Sequence, residues 1–225
     1  MIPLKDENPT RTFPFVTIAL IVINVLVFAF ELSLGPQVKE AIMRYGAIPY
    51  NITRFNDWAV VKTLITSLFF HAGFMHIIGN MWYLWIFGNN IEDRLGHSRF
   101  IVFYLVCGIA ATFGHILSAW DSQIPTIGAS GAISGVLGAY LVLFPRARIL
   151  TLLPIFYFIR VVYIDARWFL LIWIFFQILN GSVSFQMAQQ AGGTGGVAWF
   201  AHIAGFFAGI LLLMAFLPTR KRRHG

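Results

Sequence analysis

The chain has 225 residues, of which 58% are hydrophobic and only 11% are charged, with a mean hydropathy of +0.75. Soluble domains carry about 25% charged residues, so this composition excludes the water-soluble globular class. The net charge of +7 does not indicate nucleic-acid binding. The basic residues lie in segments that flank long uncharged runs, which is the distribution that the positive-inside rule describes for membrane proteins.

Five uncharged runs hold the predicted membrane spans. A helix needs about 20 apolar residues to cross the hydrocarbon core, so the first four runs hold one span each. The last run, 168–219, is long enough for two spans with a turn rich in Gly, Gln and Ser over 180–196. The fold class is therefore all-α: a single domain over residues 1–225, built as a polytopic bundle of six transmembrane helices. The predicted spans are 14–32, 66–88, 100–120, 128–144, 168–181 (a short one) and 197–217.

The basic residues also predict the topology. With six spans both termini share one side of the membrane, and that side holds twelve Lys and Arg residues against four in the first outer loop. We therefore expect both termini in the cytoplasm. The first run is too long for a signal-peptide core and shows no cleavage site, and no transit segment precedes it, which favours a bacterial inner membrane. Segment 35–65 is expected to form short amphipathic helices at the outer interface, and 146–167 a cytoplasmic interfacial segment.

Polar side chains inside the predicted spans are the functional candidates, because they are costly in lipid and face the interior of a bundle. They are His71, His76, Asn80, Ser130, Ser134 and His202.

Three of the spans bring these candidates to a similar depth. The second, fourth and sixth spans all run from outside to inside, and at about 1.5 Å per residue Ser130 and His202 differ in depth by about 5 Å. His76 and Asn80 lie one turn apart on one helix face. Glycines in the fourth and sixth spans, including Gly128 and Gly131, allow close helix contact in lipid.

This set of residues suits acyl transfer. His202 would act as the base that takes the proton of the Ser130 hydroxyl. The Ser130 backbone N–H, Asn80 and His76 would stabilise the resulting oxyanion. No Asp or Glu lies near the outer face of these three spans, so the catalytic unit would be a dyad in a cavity open to water.

Other interpretations compete with this one. Ser130 among glycines is also typical of helix packing, and a lone intramembrane histidine is also typical of a structural donor. His71 and His76 are five residues apart and lack an accompanying acidic ligand, so no metal site and no cofactor are predicted. A non-catalytic protein that binds transmembrane segments would not react with serine-directed probes. A transporter that relays protons through its histidines should contain inverted repeats, and none is visible.

Three motifs in order resemble the rhomboid family of intramembrane serine proteases, from 13 to 217. "HAGFMHIIGN" is similar to the second-span His-x₄-His-x₃-Asn pattern, "GASG" to the nucleophile motif, and "AHIAGFFAG" to the sixth-span histidine and glycine motif. "IEDRLGHSRF" resembles the loop sequence that follows the second span.

The resemblance implies a six-helix fold and a cofactor-free endopeptidase that cuts transmembrane protein substrates within or beside their helices. It implies Ser130 as nucleophile, His202 as base, and His76, Asn80 and the Ser130 amide at the oxyanion, with His71, Gly128 and Gly131 in support. Two positions depart from the family pattern. The Trp-Arg pair that many members have in the first outer loop is absent, since Trp58 is followed by Ala59. Ser134 stands where some members have an aromatic that stacks on the histidine, which leaves open whether Trp199 or Phe200 orients His202.

Overall fold

The computed structural model describes residues 1–55, 57–155, 158–191 and 198–217, which form ten α-helices and three β-strands. The helices are α1 Phe15–Ser33, α2 Val38–Tyr45, α3 Pro49–Arg54, α4 Trp58–Val61, α5 Thr63–Thr66, α6 Phe74–Leu95, α7 His97–Ser118, α8 Ser130–Leu143, α9 Ala166–Ala191 and α10 Trp199–Phe216. The strands are β1 Ile2–Asp6, β2 Arg148–Ile155 and β3 Phe158–Asp165.

The helical bundle predicted from the sequence is confirmed, although the structure does not give six uninterrupted spans. Within the described residues, four helices (α1, α7, α9 and α10) are long and apolar enough to cross a membrane, and segment 58–69 forms a fifth candidate together with α6, to which it is bent by 80°. Helix α8 has only 14 residues, about 21 Å, which is shorter than the hydrocarbon core of about 30 Å. Its residues from Gly131 to Tyr140 are buried inside the bundle.

The fifth predicted span is wrong in length. Helix α9 runs for 26 residues, through most of the turn predicted at 180–196, because its Gln and Ser residues do not break a helix whose outer face is apolar. Residues 192–197, like the basic run 220–223, lie outside the described residues. Segment 35–65 forms the predicted short helices, α2 to α5.

Segment 146–167 and the N-terminus build a three-stranded antiparallel sheet, which was not predicted. Strands β2 and β3 pair from Arg148↔Asp165 onward, and β1 adds to the other edge of β2. The β-branched residues of β3 favour an extended chain. We call the end of the bundle that carries this sheet the sheet end, and the opposite end, where α8 begins, the site end.

Asp6 joins the sheet to the bundle. Its carboxylate accepts hydrogen bonds from the Tyr140 hydroxyl of α8 at 2.6 Å and from the Asn90 side-chain amide of α6 at 2.8 Å. Burial raises the pKa of the Asp6 carboxyl above its ordinary value, although the hydrogen bond from Tyr140 opposes this effect. The far end of α8 is thereby held by the first strand of the chain.

Glu92 caps α1 from a neighbouring helix. The first N–H groups of a helix have no intrahelical partner, and Pro14 provides no side-chain cap here. The fully buried Glu92 carboxylate accepts instead from the N–H of Val16 (2.8 Å) and of Thr17 (2.7 Å), and also from the Thr17 hydroxyl. His97 Nδ1 lies 2.6 Å from the same carboxylate. One side chain therefore fixes α1 against α6 and the start of α7.

We predict that Glu92→Ala lowers the free energy of unfolding by about 1–3 kcal/mol for each buried donor that loses its acceptor. Thermal unfolding in detergent micelles measures the effect. Arg94→Gln, an exposed change on the same turn of helix, is the control and should leave the midpoint unchanged. Equal midpoints for Glu92→Ala and wild type would contradict the capping role.

Candidate active site

Helices α8 and α10 touch backbone to backbone through glycines. A Cβ added at Gly205 would overlap the carbonyl oxygen of Gly131, and a Cβ added at Gly209 would overlap that of Gly135. Any larger residue at Gly205 or Gly209 would push the helices apart. The glycine stripes that the sequence shows in these two helices therefore set the distance between them, as expected for helix association in lipid.

This contact places Ser130 beside His202. Ser130 is the first residue of α8, and His202 lies in the first turn of α10. The Ser130 Oγ and the His202 Nε2 are 2.8 Å apart, which is a hydrogen bond. A hydroxyl in this position can transfer its proton to the imidazole as it attacks an electrophile.

His76 and Asn80 lie next to Gly128, two residues before the serine. A Cβ at Gly128 would meet the His76 Cε1 and Nε2 at 2.7 Å and the Asn80 Nδ2 at 3.7 Å, and the φ of 122° at this glycine is one that other residues rarely adopt. The Ala72 N–H donates to His76 Nδ1, so the proton of the neutral ring is on Nε2, the atom that faces Gly128. Within the described part of the chain, the buried Asn80 Nδ2 has no hydrogen-bond partner.

The serine's own backbone completes this group of donors. Because Ser130 begins the helix, its N–H has no acceptor in a preceding turn. The segment before α8 is fixed at Gly128, whose backbone N–H donates to the Ser67 carbonyl at 2.9 Å. Two donors, from His76 and Asn80, thus lie beside Gly128, two residues before Ser130, whose own backbone N–H is a third.

His71 and Gly131, which were predicted to support the site, lie near its other residues. His71 is buried, and its ring centroid lies 5.0 Å from that of His76. Its backbone N–H donates to the Glu31 carboxylate at 3.0 Å. Glu31 was not among the sequence candidates, because it lies at the end of the first span and outside every motif. Gly131 packs against Ala111 of α7. Among the described residues no cluster of three His, Cys, Asp or Glu side chains is arranged for a metal ion.

The orientation of His202 rests on α9, which the sequence did not indicate. The His202 Nδ1 lies 2.8 Å from the Gln177 Oε1, and the rings of Trp173 and Trp199 each lie 6.2 Å from the imidazole, centroid to centroid. Trp199, one of the two aromatic residues considered from the sequence, therefore lies next to the His202 ring. Ser134 does not point to the histidine in this way, because its hydroxyl donates to the Ser130 carbonyl. Gln177 is an amide in the apolar first part of α9 and belongs to no motif, so the sequence carried no signal for it.

A small cavity lies against the serine. Its lining combines small side chains with a few hydroxyls: Ser67, Leu68, Gly108, Ala111, Thr112, Thr126, Ile127, Gly128, Ser130, Gly131, Ala198 and Ala201. Glycine and alanine leave room beside the Ser130 hydroxyl for a small group, and the threonine and serine hydroxyls can hydrogen-bond water or a peptide.

We predict that Gly209→Ala lowers the free energy of unfolding by about 1–3 kcal/mol, the usual cost of overpacking, because the new Cβ overlaps the backbone of Gly135. The control is Gly79→Ala, a helical glycine where an added Cβ has no atom within 4 Å and where alanine favours the helix. Thermal unfolding of both variants in the same detergent makes the comparison. A loss no greater than that of Gly79→Ala would mean that the α8–α10 contact tolerates separation.

The sequence matches one protein family over most of its length. The family model described as "Rhomboid domain" matches residues 59–219, which include every candidate site residue named above.

Similar proteins carry related names. The chain is 32% identical over 137 residues to "Rhomboid protease GluP" of Bacillus subtilis, covering 61% of this chain and 25% of that protein. It is 36% identical over 140 residues to "Rhomboid protein 1, mitochondrial" of Saccharomyces cerevisiae, covering 59% and 37%. It is 33% identical over 132 residues to "Putative rhomboid protease YdcA" of B. subtilis, covering 58% and 63%. In each case less than two thirds of the relative is matched.

Proposed function

Because this chain belongs to the rhomboid family, and is therefore an integral membrane protein, we propose that it is an intramembrane serine endopeptidase. It hydrolyses peptide bonds within or next to the transmembrane helices of other membrane proteins. The observation that carries this proposal is the 2.8 Å hydrogen bond between the Ser130 Oγ and the His202 Nε2. Two relatives, GluP and YdcA, are named as rhomboid proteases, YdcA as a putative one.

Acylation begins with proton transfer inside the dyad. The Ser130 Oγ attacks the carbonyl carbon of the substrate peptide while its proton passes to the His202 Nε2. The tetrahedral intermediate carries the negative charge on the former carbonyl oxygen. When the C–N bond breaks, the protonated His202 gives its proton to the leaving amine, and an acyl ester remains on Ser130.

The donors next to Gly128 would stabilise that oxyanion. The Asn80 Nδ2 is buried and unpaired among the described residues. A buried donor without a hydrogen bond costs about 1–3 kcal/mol. An oxyanion gives it an acceptor only when the intermediate forms, so the interaction favours the transition state over the ground state. The His76 Nε2–H and the Ser130 N–H would add to it.

Water would then complete the reaction. His202 takes a proton from a water molecule that attacks the acyl ester, and returns it to the Ser130 Oγ as the acid product leaves. The small cavity at Ser130 provides a polar place for water, through hydroxyls such as that of Thr126. Its glycine and alanine lining favours a small substrate side chain at the cut.

We also propose a kind of substrate and an orientation of the protein in the membrane. A peptide bond in a helix is shielded by its own hydrogen bonds, so we propose substrates with helix-weakening residues near the cut. The excess of basic residues at the sheet end supports a cytoplasmic position for that end. The site would then open towards the outer side of a bacterial plasma membrane. The chemistry requires no cofactor.

We predict that Ser130→Ala and His202→Ala each reduce cleavage of a fluorogenic transmembrane substrate by at least about 10³-fold. The matched control is Ser134→Ala, one turn along the same helix, whose hydroxyl bonds only to a backbone carbonyl and whose loss should leave cleavage within about twofold of wild type. Reconstituted protein in liposomes supplies the assay.

Labelling by a fluorophosphonate probe distinguishes the enzyme from a non-catalytic binder. Wild type should be labelled and Ser130→Ala should not. Cleavage that persists in Ser130→Ala, or a wild-type protein that neither cleaves nor labels, would overturn the proposed function.

We further predict that Asn80→Ala lowers kcat by about 10²–10³-fold, the usual cost of losing one oxyanion donor, while KM changes little. His76→Ala should behave similarly. Ile78→Ala, an exposed side chain on the same helix, is the control. A rise in KM with kcat preserved would assign Asn80 to substrate binding instead.

A further inference from the structure

Gln177 of α9 is a buried amide that the dyad chemistry does not by itself require. Its residue is only 7% exposed, in a helix whose other nearby residues are mostly apolar. Buried amides need hydrogen-bond partners, and Gln177 has two: the imidazole of His202 and the backbone carbonyl of Trp173.

The partners determine which way the amide points. The Trp173 carbonyl can only accept a hydrogen bond, so the NH₂ group of Gln177 must be the end that faces it, and the Nε2 lies 3.4 Å away. The Oε1 is therefore the end that faces the His202 Nδ1, at 2.8 Å. The assignment follows from the hydrogen-bond network, which is how amide orientations are established.

The amide in turn determines the tautomer of His202. An amide oxygen accepts, so the His202 Nδ1 must carry the proton that it donates. In the neutral ring the Nε2 is then unprotonated, with its lone pair towards the Ser130 Oγ. This is the one neutral form of the imidazole that can take the serine proton, because a proton on Nε2 would make that nitrogen a donor.

We infer that Gln177 is a positioning residue that selects and orients the base form of His202, an inference that rests on the proposed function. It takes the orienting part that a carboxylate has in serine hydrolases with a Ser-His-Asp triad, but without a charge. Within the described part of the chain, no Asp or Glu hydrogen-bonds His202. Glu31 bonds the His71 N–H, and Glu92 lies at the sheet end. The dyad is therefore completed by a neutral amide.

The contacts of His202 with aromatic rings do not replace this role. Trp173 is tilted by 34° to the imidazole plane and Trp199 stands edge-on at 87°. Both restrict where the ring can lie, yet neither ring offers an acceptor for the Nδ1 proton. Without Gln177 the imidazole can lie in its pocket with the proton on the wrong nitrogen.

The test compares three α9 variants by steady-state cleavage of the fluorogenic transmembrane substrate and by the rate of fluorophosphonate labelling at Ser130. Gln177→Leu keeps the size and removes the acceptor, whereas Gln177→Glu keeps both. Phe176→Leu, at an exposed neighbouring position, is the control for general disturbance of α9. Thermal unfolding shows that each variant is folded before its rates are compared.

We expect Gln177→Leu to lower both kcat and the labelling rate by about 10²-fold, the effect of misplacing a reacting group, with KM within about twofold of wild type. Gln177→Glu should recover at least a tenth of the wild-type rate, and Phe176→Leu should match wild type. Wild-type rates in Gln177→Leu, or equal losses in the Leu and Glu variants, would overturn the positioning role. Neither result would touch the proposed function, which fails only if Ser130→Ala still cleaves or wild type is inactive.

Discussion

The contact between the backbones of α8 and α10 is the constraint on which the rest of the site depends. Gly205 and Gly209 let α10 lie against the carbonyl groups of α8, and only this separation brings Ser130 and His202 within hydrogen-bonding distance. In lipid there is little hydrophobic gain from bringing helices together, so close van der Waals packing has to supply it. The same glycines that stabilise the pair of helices therefore also bring Ser130 and His202 together.

Buried polar groups of the bundle differ in whether the fold gives them a hydrogen-bond partner. At the sheet end the Glu92 carboxylate satisfies the donors at the start of α1, and Asp6 satisfies Tyr140 and Asn90. At the site end, among the described residues, the Asn80 amide nitrogen is left without an acceptor. Satisfied groups rigidify a fold, and an unsatisfied one stores a cost that a transition state can relieve.

The sequence predicted the helices and much of the candidate site because the residues concerned recur at regular spacings along the chain. The i, i+4 spacing of His76 and Asn80 and the recurring glycines are properties of single helices, and the charge-free runs mark the spans. What lacked a signal depends on contacts between distant segments. Gln177 is an amide in the apolar first part of α9, and it meets His202 only because α9 packs beside α10. The hairpin of β2 and β3 carries arginines among apolar residues, a composition shared with interfacial segments, and its pairing with β1 joins residues far apart in the chain.

That pairing bears on how the protein is made. Strand β1 is synthesised before β2, with which it pairs, and the Tyr140 hydroxyl that Asp6 accepts from is 134 residues further along the chain. During translation the backbone N–H and C=O groups of β1 therefore have no strand partner until the helices between β1 and β2 have been synthesised. Closing the sheet is a highly non-local step, and it can fasten α8 only after the whole of that helix and the strand β2 have been synthesised.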